Sequence, residues 1–60
     1  MSTAERLTEW QRRKLCDVIL LGCDRATACP YISAAPAQLQ AEIARDEAFA
    51  RAVARAEVEA

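Results

Sequence analysis

Apolar side chains recur along this chain at the three-and-four spacing of amphipathic helices. Leu15, Val18 and Ile19 form one stripe with Gly22, and Leu20 and Leu21 widen it. The pattern predicts a helix over about 8–21, with Arg12, Arg13 and Asp17 facing mainly outward. Thr8 is placed to cap it, with Gln11 answering three residues later; Ser2 with Glu5 offers an earlier capping box. Gly22 stops the helix, since glycine takes the left-handed conformation that a helix end prefers.

Asp24 offers the next cap, for a short second helix over about 25–32. With Asp24 as cap, Pro30 sits past the first turn, removes a backbone donor and crowds the preceding carbonyl. If regular helix begins instead at Thr27, Pro30 lies within the first turn, where the missing donor is harmless. Either way this helix is expected to be kinked or very short. Ser33-Ala34-Ala35 read as a corner, and Pro36 opens a third helix over about 36–44. Its inward face is expected to be Leu39 and Ile43, its outward face Ala37, Gln38, Gln40, Ala41 and Arg45. Asp46 then caps a fourth helix over about 47–59, where Phe49, Val53, Ala56 and Ala60 form an apolar stripe. Glu47, Arg51, Arg55 and Glu59 make a four-spaced charged face on the same helix. Glu57 and Glu59 lie at the negative end of its dipole, so it is expected to fray, to continue, or to be completed by a partner.

Two short helices joined by a tight corner are the layout of a helix-turn-helix, which most often places its second helix in the major groove of DNA. The expected fold is therefore all-α: a single domain over 1–60, built as a small helix-turn-helix bundle of four helices.

Composition narrows the picture. Sixty residues make one small domain, and a chain of this size buries only about 60% of its unfolded surface. Much of the apolar content is alanine, which favours helix but buries little area. Such domains usually need a metal, disulfides or a partner for ample stability. There is no histidine, and Cys16, Cys23 and Cys29 are separated by six and five residues, without the close pairs of zinc sites. No metal and no cofactor is expected. The odd cysteine count and the charged opening MSTAERLTEW predict a reducing cytoplasm, no signal peptide and no membrane span, with the thiols as small buried hydrophobes. A partner subunit remains the best-supported source of stability.

Charge is nearly balanced, with eight Lys and Arg against nine Asp and Glu. The one basic cluster is Arg12-Arg13-Lys14, and residues 1–30 carry five cations against four anions. Residues 31–60 carry three cations against five anions. That is a weak footprint for nucleic acid.

Several residues carry a family likeness. Cys29 stands where a small residue lets two motif helices approach, Ile32 precedes the corner, and Ser33 occupies a position often held by glycine. Pro36 and Leu39 fit the start and first core position of a recognition helix, and Arg45-Asp46-Glu47-Ala48-Phe49 forms the junction into the next. On these residues the chain, over roughly 12–55, resembles the helix-turn-helix region at the start of phage terminase small subunits, and similar resolvase-like and transposase-like modules. The resemblance implies a phage or bacterial DNA-binding protein. The chain departs from the pattern at Ser33, at Pro30, and in a third helix whose only charges are Glu42 and Arg45.

Two functions follow as expectations. In the first, the protein binds double-stranded DNA. Gln38 and Gln40 read base edges, because a glutamine amide pairs bidentately with adenine. Arg45, Arg25, Arg12, Arg13 and Lys14 contact phosphates. Specific binders neutralise about six to ten phosphates, more than one copy supplies, so a homodimer or higher homo-oligomer is expected. In the second, the chain is a protein–protein interaction or oligomerisation module that binds no nucleic acid. Val53, Ala56 and Ala60 would form the oligomer interface in either case, as positions beyond the reach of a three-helix core. An enzyme acting on a small-molecule substrate is not expected, because no histidine, paired carboxylate or phosphate loop is present. Trp10, at the start of the first helix, reads as a packing residue rather than a stacking one.

Overall fold

The computed structural model describes residues 6–60. The candidate Ser2–Glu5 capping box lies outside the described residues. Helix α1 spans Glu9–Leu20, α2 Arg25–Ala28, α3 Pro36–Arg45 and α4 Glu47–Glu59, with a 3-10 segment over Cys29–Ile32. No strand interrupts this order among the described residues. The fold is an all-α bundle, as the apolar spacing predicts.

Each helix end has a local cause. Thr8 Oγ1 accepts from the Gln11 amide N–H at 3.1 Å, and Thr8 N–H donates to Gln11 Oε1 at 2.8 Å. This reciprocal pair satisfies two donors that the first turn would otherwise leave open. At the other end of α1, Gly22 N–H donates to the Ile19 carbonyl at 2.9 Å and Cys23 N–H to the Val18 carbonyl at 3.4 Å. The two bonds make a Schellman ending, with Gly22 at φ +109°, where side-chain-bearing residues are strained. Asp24 Oδ1 accepts from Thr27 N–H at 2.8 Å and starts α2. Pro30 then decides the shape of this segment. It lies near the start of the 3-10 turn, so four residues of α-helix give way to a tighter coil where its missing donor costs little.

The corner falls at Ser33, in the left-handed region at φ 57° and ψ 40°. Ala34 N–H donates back to the Cys29 carbonyl at 3.2 Å, closing the turn. Ala35 is extended, Pro36 opens α3, and Ala35 N–H donates to Gln38 Oε1 at 3.1 Å. Asp46 serves two helices. Its N–H closes α3 on the Glu42 carbonyl, while its Oδ1 accepts from Ala48 and Phe49 N–H at 3.1 and 3.2 Å to begin α4.

The core is one cluster: Leu7, Leu15, Val18, Ile19, Ala28, Cys29, Ile32, Leu39, Phe49, Val53 and Ala56. Helix α4 packs most extensively on α1 and also on α3, while the 3-10 segment packs on α1. Gln11 reinforces that last contact, since its Nε2 donates to the Ile32 carbonyl at 2.9 Å. The chain entering the corner is thus tied directly to the first helix.

Beyond the stripe of α1, where Leu20 and Leu21 are exposed and Arg12 is half-buried, four sequence expectations need correction. Val53 and Ala56 do not lie beyond the core; they are 0% and 4% exposed, covered by the domain's own helices. Only Ala60 of that trio is exposed. Ile43 is half-buried rather than central, and the α3 positions sealed in the interior are Leu39 and Glu42. Trp10 is 60% exposed, so it is not a core residue. Of the cysteines, Cys29 is buried while Cys16 and Cys23 pack partly against the core edge.

Candidate nucleic-acid interface

The inner side of α3 is built around a charge. Glu42 is 1% exposed, yet it is a carboxylate, and an isolated ion there would pay a large desolvation cost. Three guanidiniums prevent this. Arg6, from the segment before α1, donates from Nε to Oε1 and from Nη2 to Oε2, both at 3.0 Å. Arg12, from the first turns of α1, donates from Nη2 to Glu42 Oε2 and from Nη1 to Asp46 Oδ2 at 2.9 Å. Arg45, three residues along α3, adds a longer contact to Oε1 at 3.5 Å. Leu7 N–H completes the shell at 3.4 Å.

Arg12 is the hinge pin of this arrangement. Its guanidinium carbon lies 5.1 Å from the centre of the Phe49 ring, within cation–π range. One side chain from α1 therefore touches α3, the α3–α4 junction and the first core aromatic of α4. The hydrogen bonds from Arg6, then from Arg12, outweigh desolvation and hold the Glu42 carboxyl at about 2, well below the usual carboxylate range. The Asp46 carboxyl is also lowered, first by the Phe49 backbone N–H and then by Arg12.

The sequence-expected contact residues separate into three groups. Arg12 is absorbed by Glu42 and Asp46, with a quarter of its side chain exposed. Arg25 pairs bidentately with Glu57, Nε to Oε2 at 2.6 Å and Nη2 to Oε1 at 3.0 Å, tying α2 to the last turn of α4. That bond gives Glu57 a partner at the helix end, where its carboxylate would otherwise meet only the negative dipole. Gln38 is half-buried and its Oε1 is engaged by Ala35 N–H, so this amide serves the start of α3.

Gln40, Arg45, Arg13 and Lys14 remain exposed. Gln40 and Arg25 are brought together at a groove between α2 and α3, about 170 Å³ in volume, floored by Cys29, Leu39 and Ile43. Beside Gln40, the outward side of α3 carries Pro36, Ala37 and Ala44, all exposed and all low in profile. A second, wider groove of about 370 Å³ runs between α1 and α4, past Arg13, Cys16 and Ala52. Burial, and then the charge of Asp17, push the Cys16 thiol pKa up, and burial pushes the Cys29 thiol up, the opposite of what an activated thiolate needs.

Glu42 and Arg6 are not among the contact residues that the sequence suggests. The signal for Glu42 was available: Leu39, Glu42, Asp46, Phe49, Val53 and Ala56 follow one another at three-and-four spacing. Two acids on an apolar stripe call for cations from elsewhere in the chain. Nothing local could say which of the eight would answer. No helix among the described residues is long and apolar enough to cross a membrane. Comparison with known protein families, with curated proteins and with solved structures finds no match to the chain.

Proposed function

We propose that this protein binds double-stranded DNA through α3 as a helix-turn-helix element, acting in more than one copy. The observation that carries the reading is the two-sided character of α3. Its inner side is locked by Leu39 and the Glu42 ion cluster, while its outer side presents Pro36, Ala37, Gln40 and Ala44, small enough to let the helix backbone approach a groove. Gln40 is then the base-edge reader. Arg13 and Lys14 supply phosphate contacts, and Arg45 stands at the end of the same helix.

The charge count supports the demand for several copies. Arg12 is spent inside the domain, and Arg25 and Arg51 hold Glu57 and Glu47. What is left per copy falls short of the roughly six to ten phosphates that a specific binder neutralises. With Val53 and Ala56 in the core, the copies meet through other surfaces. Three free thiols are compatible with a reducing cytoplasm.

A second reading rests on a different observation. Trp10, Leu21, Tyr31 and Val58 are 60%, 85%, 59% and 84% exposed, apolar side chains left open at separate points of the surface. That favours a protein–protein interaction module without nucleic acid.

Fluorescence anisotropy of a labelled mixed-sequence duplex, titrated at two salt concentrations, separates the two. Binding that weakens steeply with salt supports the first reading. No binding at low salt with protein well above micromolar overturns it and leaves the second. A demonstrably monomeric protein binding tightly at physiological salt would overturn the oligomeric part alone.

A further inference from the structure

Arg6 and Arg45 share one buried acceptor. Arg6 Nε reaches Glu42 Oε1 at 3.0 Å and Arg45 Nη1 reaches the same oxygen at 3.5 Å. Both guanidiniums therefore converge on one carboxylate oxygen, and each keeps N–H donors that this oxygen does not take. Both side chains are open to solvent, 54% and 37% exposed, whereas the carboxylate between them is sealed at 1%. Arg6 spends Nε and Nη2 on Glu42, which leaves the Nη1 edge of its guanidinium unused in that bond. The local charge is also favourable. Arg6, Arg12 and Arg45 face Glu42 and Asp46, so the cluster keeps one positive charge in excess.

We propose that Arg6 and Arg45 form a phosphate clamp at the end of α3, buttressed from beneath by Glu42, and that it grips the DNA backbone beside the groove that α3 enters. The proposal rests on the DNA-binding reading and adds to it a contact residue, Arg6, outside the helix-turn-helix. Glu42 fixes the direction of both guanidiniums before DNA arrives, so little side-chain freedom is lost on contact. Glu42 itself touches no phosphate; it is a positioning residue.

The test is the slope of log affinity against log salt, measured by anisotropy on one duplex for wild type and variants. Each phosphate contact removed lowers the magnitude of that slope by about one, whatever its effect on stability. Arg6→Ala and Arg45→Ala are each expected to lose about one, Arg6→Lys to keep the wild-type slope, and Arg51→Ala, remote on α4, to keep it as well. Arg45 makes only the long contact to Glu42, so its variant remains informative if Arg6→Ala is poorly folded. Unchanged slopes in Arg6→Ala and Arg45→Ala, with wild type binding normally, would overturn the clamp and leave the DNA reading standing. Absence of salt-sensitive binding by wild type would overturn both.

Discussion

Arg12 crosses from α1 to α3 to meet Glu42, and the pair sits where the first helix, the third helix and the fourth converge. The carboxylate is almost completely sealed, while its arginines keep part of their surface in water. The cluster therefore orients α3 against the rest of the domain at modest desolvation cost.

Removing the carboxylate should be expensive. Glu42→Ala leaves Arg12 facing a cavity with only Asp46 for a partner, and breaking a buried pair costs about 3–5 kcal/mol. Since the arginines can turn toward water, a loss near the lower end, about 3 kcal/mol, is expected. A domain of this size has total stability of only about 3–9 kcal/mol. Urea unfolding followed by far-UV circular dichroism checks it, and a loss below about 1 kcal/mol would remove the cluster from its organising role.

Acid should loosen the same joint. The Glu42 carboxyl is depressed from 4.5 to about 2, so the folded state holds its proton less tightly than the unfolded chain. Its contribution is fully present above about 4.5 and is lost as pH falls toward 2. Glu57, lowered by Arg25, adds a loss in the same direction. Denaturant midpoints measured from pH 6 to 2 should fall for wild type and fall less for Glu42→Gln. Equal slopes in the two proteins would show that Glu42 does not drive the acid response.

Two corner residues predict opposite signs. Gly22 holds φ +109° with no atom within 4 Å of where a Cβ would stand, so Gly22→Ala costs backbone strain alone, about 1–2 kcal/mol. Ser33 holds φ 57° with a side chain attached, so Ser33→Gly relieves strain and gains about 0.5 kcal/mol after the added unfolded-state freedom. Thermal unfolding of both variants reads the signs directly. A stabilising Gly22→Ala or a strongly destabilising Ser33→Gly would contradict this backbone geometry.

Gln11 joins local and long-range order in one side chain. It answers Thr8 in the capping box and donates to the Ile32 carbonyl 21 positions away. Gln11→Ala should cost about 1–2 kcal/mol, more than an ordinary surface change. Gln11→Glu keeps an acceptor for Thr8 but cannot donate to Ile32, so it should recover only part of the loss in urea unfolding.

Val53→Glu, a natural choice for dissociating an α4 dimer, should instead unfold the monomer. Val53 is 0% exposed within a single copy, and an unpaired carboxylate there has no compensation. Val58, at 84% exposed, is the residue to charge when probing α4 as a contact surface. Val58→Glu should leave the circular dichroism spectrum unchanged, and a lower mass by light scattering would locate an interface there.

The helices themselves were legible because their causes are local. Thr8, Gly22, Asp24, Pro36 and Asp46 each act within a few residues, through a hydrogen bond to a neighbouring amide or a restricted φ, and the helix boundaries fall within a residue or two of where these residues predict them. Pro30 announced a disturbed second helix for the same reason, and the segment it stands in is a 3-10 turn that packs on α1.

What each helix turns toward was not local. Ile43 and Glu42 are adjacent in the chain, and hydropathy alone places Ile43 inside. The position of Arg6 and Arg12 makes burial of the neighbouring carboxylate favourable instead. Likewise Arg12, Arg25 and Gln38 carry the right chemistry for DNA, yet each side chain is engaged within the fold. Sequence alone determined where this protein coils and where it stops, because capping and backbone restriction act between near neighbours. Only the tertiary structure decided which charges remain available to a partner, because ion pairing depends on residues that the chain brings together from more than thirty positions apart.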